Sequence, residues 1–198
     1  MKIVIIGLGY VGINLFNLIQ QKYKNVLGVD KNIDKINNLN KGFDPSLEVK
    51  NFSKYNNSNI TENLLNIKNI DDYDYFFICV PTPKDKLNKP VLKYLNSAID
   101  AIFSIRLKKP ITIINESSVY PGATEKLIDD NAKGKGLKRN KDYFIAYSPE
   151  RISPGEKDFT LRKVSKIVAS DDKLTLKKVS SIYSKILKGK IIKSYSIA

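Results

Sequence analysis

An apolar run, Ile3-Val4-Ile5-Ile6, leads straight into Gly7-Leu8-Gly9-Tyr10-Val11-Gly12. A helix-spaced stretch follows, then a second apolar run, Val26-Leu27-Gly28-Val29, closed by Asp30. Strand, glycine-rich turn, helix and strand in this order specify a right-handed βαβ unit and leave little else for the first thirty residues to become. Each glycine has its own duty in such a unit. Gly7 permits the tight turn out of the strand, Gly9 lets the backbone approach a pyrophosphate, and Gly12 lets the helix pack closely on the sheet. The helix start, with Tyr10 and Val11 between the glycines, presents N–H groups to phosphates. Asp30 is placed to accept hydrogen bonds from ribose hydroxyls and to repel a 2′-phosphate, which favours NAD over NADP. Lys31 can reach the adenosine ribose or its 2′ position and softens that exclusion. The alternative is a βαβ unit whose glycines only serve packing and whose Asp30 caps the next helix.

Composition narrows the class. At 198 residues the chain holds one good core, and no linker argues for two domains. No stretch approaches the ~20 apolar residues of a membrane span, and the first residues are too short an apolar run for a signal peptide. A lone cysteine, Cys79, excludes an internal disulfide framework and fits a cytoplasmic setting; without histidine, zinc sites of soft ligands are excluded as well. The net charge of +14 does not read as nucleic-acid binding. Arginine stands only at 106, 139, 151 and 162, and the lysines are spread among asparagine and isoleucine rather than gathered in one block.

Strand and helix patterns alternate along the rest. Residues 33–39 have helical spacing closed by Gly42, and 43–70 are polar with a weak helical pattern over 60–65. Residues 73–80 form a continuous apolar run, the mark of a parallel strand buried on both faces. Helical patterns over 91–107, 123–132 and 171–187 alternate with strand patterns over 111–114, 143–147, 164–169 and 191–195, with Ser170 or Asp171 as the cap of the last helix. This alternation predicts an α/β fold, a doubly wound parallel sheet of the Rossmann type, with ligands beyond the carboxyl ends of the strands.

Those strand ends carry unusual residues: Val80-Pro81-Thr82-Pro83, then Asn115-Glu116-Ser117-Ser118-Val119-Tyr120-Pro121-Gly122, then Ser148-Pro149-Glu150-Arg151-Ile152. Any one alone is bland. A Pro-Thr-Pro is usually a stiff loop, and a lone Glu116 is more often a cap or a solvated charge than a catalytic group.

Together with Gly7–Gly12, and with Gly42, Asp44-Pro45 and Glu48, these segments resemble the UDP-glucose/GDP-mannose dehydrogenase family, and most of all its branch acting on UDP-N-acetylhexosamines in bacterial polysaccharide synthesis. The resemblance spans nearly the whole chain. It implies a two-step, four-electron oxidation of a UDP-sugar C6 alcohol to the carboxylate with two NAD⁺. The first oxidation gives an aldehyde, a cysteine thiolate adds to it, a second hydride leaves the thiohemiacetal, and water hydrolyses the thioester. By position, Ser118 stands where the family has a threonine that helps to place the catalytic water, and Glu150 matches a glutamate near the sugar and the proton transfer. Val80, Pro81, Thr82, Glu116 and Ser117 match positions lining the cofactor. Arg151 is either a substrate clamp or half of a structural ion pair. The resemblance also implies a homodimer for the complete enzyme.

The departures are equally informative. The family's nucleophilic cysteine, its lysine and asparagine on a long helix, and its UDP-binding domain have no match within these 198 residues, which are expected to be the NAD-binding N-terminal domain, inactive alone. Cys79 sits inside an apolar run and is expected to be core. Pro90-Val91-Leu92 lacks the aspartate common in the family between proline and leucine. Two other readings are a non-catalytic NAD-binding protein and a β-hydroxyacid dehydrogenase-like domain.

Overall fold

The computed structural model describes residues 1–49, 52, 59–150 and 164–197. Its strands are β1 (Lys2–Ile6), β2 (Asn25–Val29), β3 (Asn59–Thr61), β4 (Tyr75–Ile78), β5 (Ile111–Asn115), β6 (Tyr143–Tyr147), β7 (Lys166–Ala169) and β8 (Ile191–Ser194). They form one sheet in the order β3-β2-β1-β4-β5-β6-β7-β8. The helices are α1 (Tyr10–Gln20), α2 (Ile33–Asn40), α3 (Lys93–Phe103), α4 (Ala123–Gly134) and α5 (Lys173–Ile186). Among the described residues no helix is long and apolar enough to cross a membrane.

β1 pairs with β2 and β4, and β4 with β1 and β5, so both are central strands, and with helices packed on each side of the sheet they need apolar residues throughout. Alternation along β1 divides the core. Ile3 and Ile5 point to the layer built by Phe16 and Ile19 of α1 and Val179 and Tyr183 of α5. Val4 and Ile6 point to the layer built by Ile99 and Ile102 of α3 and Ile128 of α4. Full burial of a side chain such as Phe76 or Phe77 stabilises the fold by about 1.5–3 kcal/mol. The strand order reverses direction at β1 and β4, so the crevice of a doubly wound sheet opens between the loops that leave these two strands.

Three features differ from the sequence expectation. The 59–61 segment is not helical but pairs in parallel with β2, with Ile60 opposite Gly28; a 3₁₀ turn, Leu64–Asn66, follows it. Pairing with a distant strand and burial of Ile60 override the weak local helical pattern. The sheet is not parallel throughout: β7 runs antiparallel to β6, and β8 follows β7 in parallel. The cap of α5 is Asp172, whose carboxylate accepts from the Thr175 amide at 2.7 Å. Ser170 is instead fully buried and donates to the Ile145 carbonyl, and Asp171 accepts from Arg139.

Candidate active site at the carboxyl edge of the sheet

The glycine loop has the shape of a phosphate cradle. Gly7 leaves β1 at φ +88°, a conformation that L side chains rarely adopt, and its amide bonds the Val29 carbonyl at the end of β2. Gly9 is the N-cap of α1 and has no side chain with which to accept from the helix's first amides. A Cβ built on Gly9 meets no atom within 4 Å, so the space above the helix start is open. Gly12 is the opposite case: a Cβ there would overlap the Gly7 carbonyl oxygen and press on Cys79. Open space at the second glycine and none at the third is the arrangement a bound pyrophosphate requires. These residues therefore fit a dinucleotide, with Tyr10 and Val11 forming the first turn behind the loop.

At the end of β2, Asp30 is tied into this loop. Its Oδ2 accepts from the Leu8 amide at 2.8 Å and its Oδ1 from the Asn32 amide at 2.9 Å. Asn32, not Asp30, caps α2, by accepting from the Lys35 amide. Lys35 then turns its ammonium back to the Leu8 carbonyl at 3.3 Å and to Asp30 at 3.5 Å. Lys31 reaches instead to the Ser97 hydroxyl on α3.

The loops after β4 and β5 are bound to each other. The Ser117 hydroxyl donates to the Val80 carbonyl at 2.6 Å, and the Thr82 hydroxyl donates to the Ser118 carbonyl at 2.7 Å. The Thr82 hydroxyl thus joins the loops, while Pro81 and Ser118 are exposed. Ser117 is held further by its amide, which donates to Asn115 Oδ1.

Glu116 is buried, and both of its carboxylate oxygens are engaged by other side chains. Oε2 accepts from Lys166 Nζ at 2.6 Å, and Oε1 accepts from the Tyr183 hydroxyl. The same ammonium lies 3.1 Å from the Ser148 carbonyl and 3.4 Å from Glu150 Oε2. The Glu150 amide donates to the Glu116 carbonyl, which joins the β6 end to the β5 end. Burial raises the Glu116 pKa, with Lys166 and Tyr183 opposing the rise. Burial works to lower the Lys166 pKa, but Glu116 and Glu150 outweigh it and leave the ammonium above its ordinary value. Burial sets the direction at Glu116, whereas the two facing carboxylates set it at Lys166. Cys79 is buried under this cluster, and burial, then Glu116, push its thiol well above the usual range; it is a core residue. Arg151 lies outside the described residues.

Residues 1–187 match the UDP-glucose/GDP-mannose dehydrogenase family, NAD binding domain. The chain belongs to this family. It is 37% identical over 197 residues to Protein CapL of Staphylococcus aureus, covering 99% of this chain and 46% of that protein. It is 34% identical over 198 residues to a UDP-N-acetyl-D-glucosamine 6-dehydrogenase of Pseudomonas aeruginosa, covering 100% of this chain and 46% of the relative. Among solved structures it superimposes on a ternary complex of GDP-mannose dehydrogenase from Pseudomonas aeruginosa with a TM-score of 0.85 and 27% identity, over 98% of this chain and 46% of the other. The chain spans about half the length of the relatives it matches.

In this NAD-binding domain of the dehydrogenase family, the structure brings to the candidate site residues that sequence reasoning did not single out. Lys35 stands beside Asp30 at the end of β2, five positions later and within the first turn of the next helix. Lys166 and Tyr183 hold Glu116 from a strand start and a helix interior. The only hint of Lys166 was a charge beside the apolar Ile167-Val168-Ala169 run, and Tyr183 looked like any aromatic of a core stripe.

Proposed function

We propose that this domain binds NAD⁺ for the oxidation of a UDP-sugar C6 alcohol to the uronate, consuming two NAD⁺ and one water, in bacterial surface polysaccharide synthesis in the cytoplasm. The UDP-N-acetylhexosamine class is favoured because relatives bearing that name match 96% or more of this chain. Bound NAD⁺ supplies the hydride acceptor for each oxidation. Gly7, Gly9, Gly12 and the start of α1 hold its pyrophosphate, Asp30 with Lys35 its adenosine ribose, and the Val80–Thr82 and Ser117 loops its nicotinamide half. Ser118 orients the hydrolytic water, and Glu150 takes its proton during thioester hydrolysis.

The observation that carries this reading is the joining of the β4, β5 and β6 ends into one platform. Thr82 bonds the Ser118 carbonyl, and the Glu150 amide bonds the Glu116 carbonyl. The thiol is not supplied within these residues, since Cys79 is their one cysteine and is buried; the 198 residues alone are expected to bind NAD⁺ without turnover. In the complete dehydrogenase, which we propose to be a homodimer, Glu150→Gln should slow uronate release, leave NAD⁺ affinity nearly unchanged and let a thiol adduct accumulate, visible by mass spectrometry. Wild-type turnover in that variant removes Glu150 from the chemistry. For the cofactor, calorimetry on the 198 residues should find NADP⁺ weaker than NAD⁺ by at least about tenfold. Equal affinities refute the role of Asp30.

A further inference from the structure

Lys166 is the one buried cation of the site among the described residues, with its side chain 4% exposed, yet it lies on no strand end in the chain direction. β7 runs opposite to β6, so the first residue of β7 comes to the carboxyl edge of the sheet. The register that sets Tyr147 opposite Ala169, continued past the end of β6, sets Glu150 opposite Lys166. The ammonium has three N–H donors and four oxygens within reach: Glu116 Oε2 at 2.6 Å, the Ser148 carbonyl at 3.1 Å, and the Pro149 carbonyl and Glu150 Oε2 at 3.4 Å. Two of these belong to the backbone just before Glu150, so the lysine pins that segment as well as its carboxylate. Glu116, itself gripped by Tyr183 from α5, prevents the ammonium from swinging away.

We propose that Lys166 is a positioning residue for Glu150. From beneath the cleft it fixes where the Glu150 carboxylate points, and Glu116 with Tyr183 fixes the lysine. The proposal rests on the role given to Glu150 above. A buried pair broken on one side leaves an uncompensated charge and endangers the fold, so the informative variant removes both charges, Lys166→Met with Glu116→Gln. Lys166→Arg keeps the charge, and Glu116→Gln alone is a milder probe.

Two measurements decide it. In the 198-residue chain, carbon-13 relaxation of the Glu150 Cγ methylene should report a restrained side chain in the wild type and in Lys166→Arg. It should report a mobile one in the double variant and an intermediate one in Glu116→Gln. In the complete dehydrogenase the double variant should lose about tenfold or more in kcat with KM for NAD⁺ within about twofold, and Lys166→Arg should recover most of the loss. Adding Glu150→Gln to the double variant should cost nothing further, because a positioning residue has no work left once its carboxylate is gone. Unchanged Glu150 mobility overturns the proposal, as does a kcat loss that adds to that of Glu150→Gln. Should Glu150→Gln alone turn over normally, the reading of Glu150 fails, while the relaxation data still decide whether Lys166 positions it.

Discussion

Gly9 and Gly12 stand three residues apart at the start of α1, and the structure assigns them opposite costs. Alanine at an ordinary helix position gains about 1 kcal/mol over glycine. At Gly12 the new Cβ would lie 1.8 Å from the Gly7 carbonyl oxygen, with the Gly7 carbonyl carbon at 2.9 Å and Cys79 Cβ at 3.1 Å. The first two are backbone atoms of a turn held by the bond from the Gly7 amide to Val29, so they cannot rotate aside as a side chain would. The helix start must lift from the loop, and such overpacking costs about 3 kcal/mol net of the propensity gain. For a chain of this length that lowers Tm by roughly 6–12 °C. At Gly9 nothing lies within 4 Å of the built Cβ and φ is −71°, so Gly9→Val should keep Tm within about 2 °C of wild type. Its branches would instead fill the room above the first turn of α1, and NAD⁺ affinity should fall by at least about a hundredfold. Scanning calorimetry gives the first quantity and titration calorimetry the second. A Gly12→Ala variant that melts with the wild type, or a Gly9→Val variant that binds NAD⁺ normally, refutes the reasoning.

Two further outcomes are expected. Cys79→Ala should cost about 1 kcal/mol by opening a small void and leave NAD⁺ binding unchanged, and native Cys79 should resist iodoacetamide until the chain is unfolded; rapid alkylation of the folded chain would contradict its place in the core. Burial alone would raise the Asp74 pKa, but Lys109 and the Lys2 amide more than reverse this, so the folded state binds that proton less tightly than the unfolded state. Its stabilisation is then full above the ordinary aspartate range and is lost as pH falls through the lowered folded value: Asp74→Asn should lower Tm at pH 7, with the gap to wild type closing in acid, and a gap independent of pH would show that the carboxylate charge is not what matters.

The central parallel strands were legible because their signals are local. Continuous apolar runs mark strands covered on both faces, as in β1 and β4, and the glycine spacing fixes the βαβ turn whatever follows it. What escaped depends on distant partners. Ile60 sits in a polar stretch with a faint helical pattern, and only the free edge of β2 makes that stretch a strand. Asp172 became the cap of α5 because Ser170 and Asp171 were claimed by Ile145 and Arg139, neither of which is near in sequence.

The same reasoning explains why the site itself was only half legible. The rule that ligands gather beyond strand carboxyl ends directs attention to the residues following each strand, and it made Gly7, Asp30, Thr82, Ser118 and Glu150 candidates. It holds for parallel strands. Once β7 reverses direction, the residue that faces the cleft is the one that begins the strand, so Lys166 arrives at the site from the side that the rule ignores. In a chain with 34 lysines and arginines, one more charge at a strand start carries no signal of its own. A lysine opening an antiparallel strand, next to a Ser-Pro-Glu segment that ends its neighbour, is therefore a pattern with physical content. The reversal brings the ammonium and the carboxylate into register, and burial then requires that they pair.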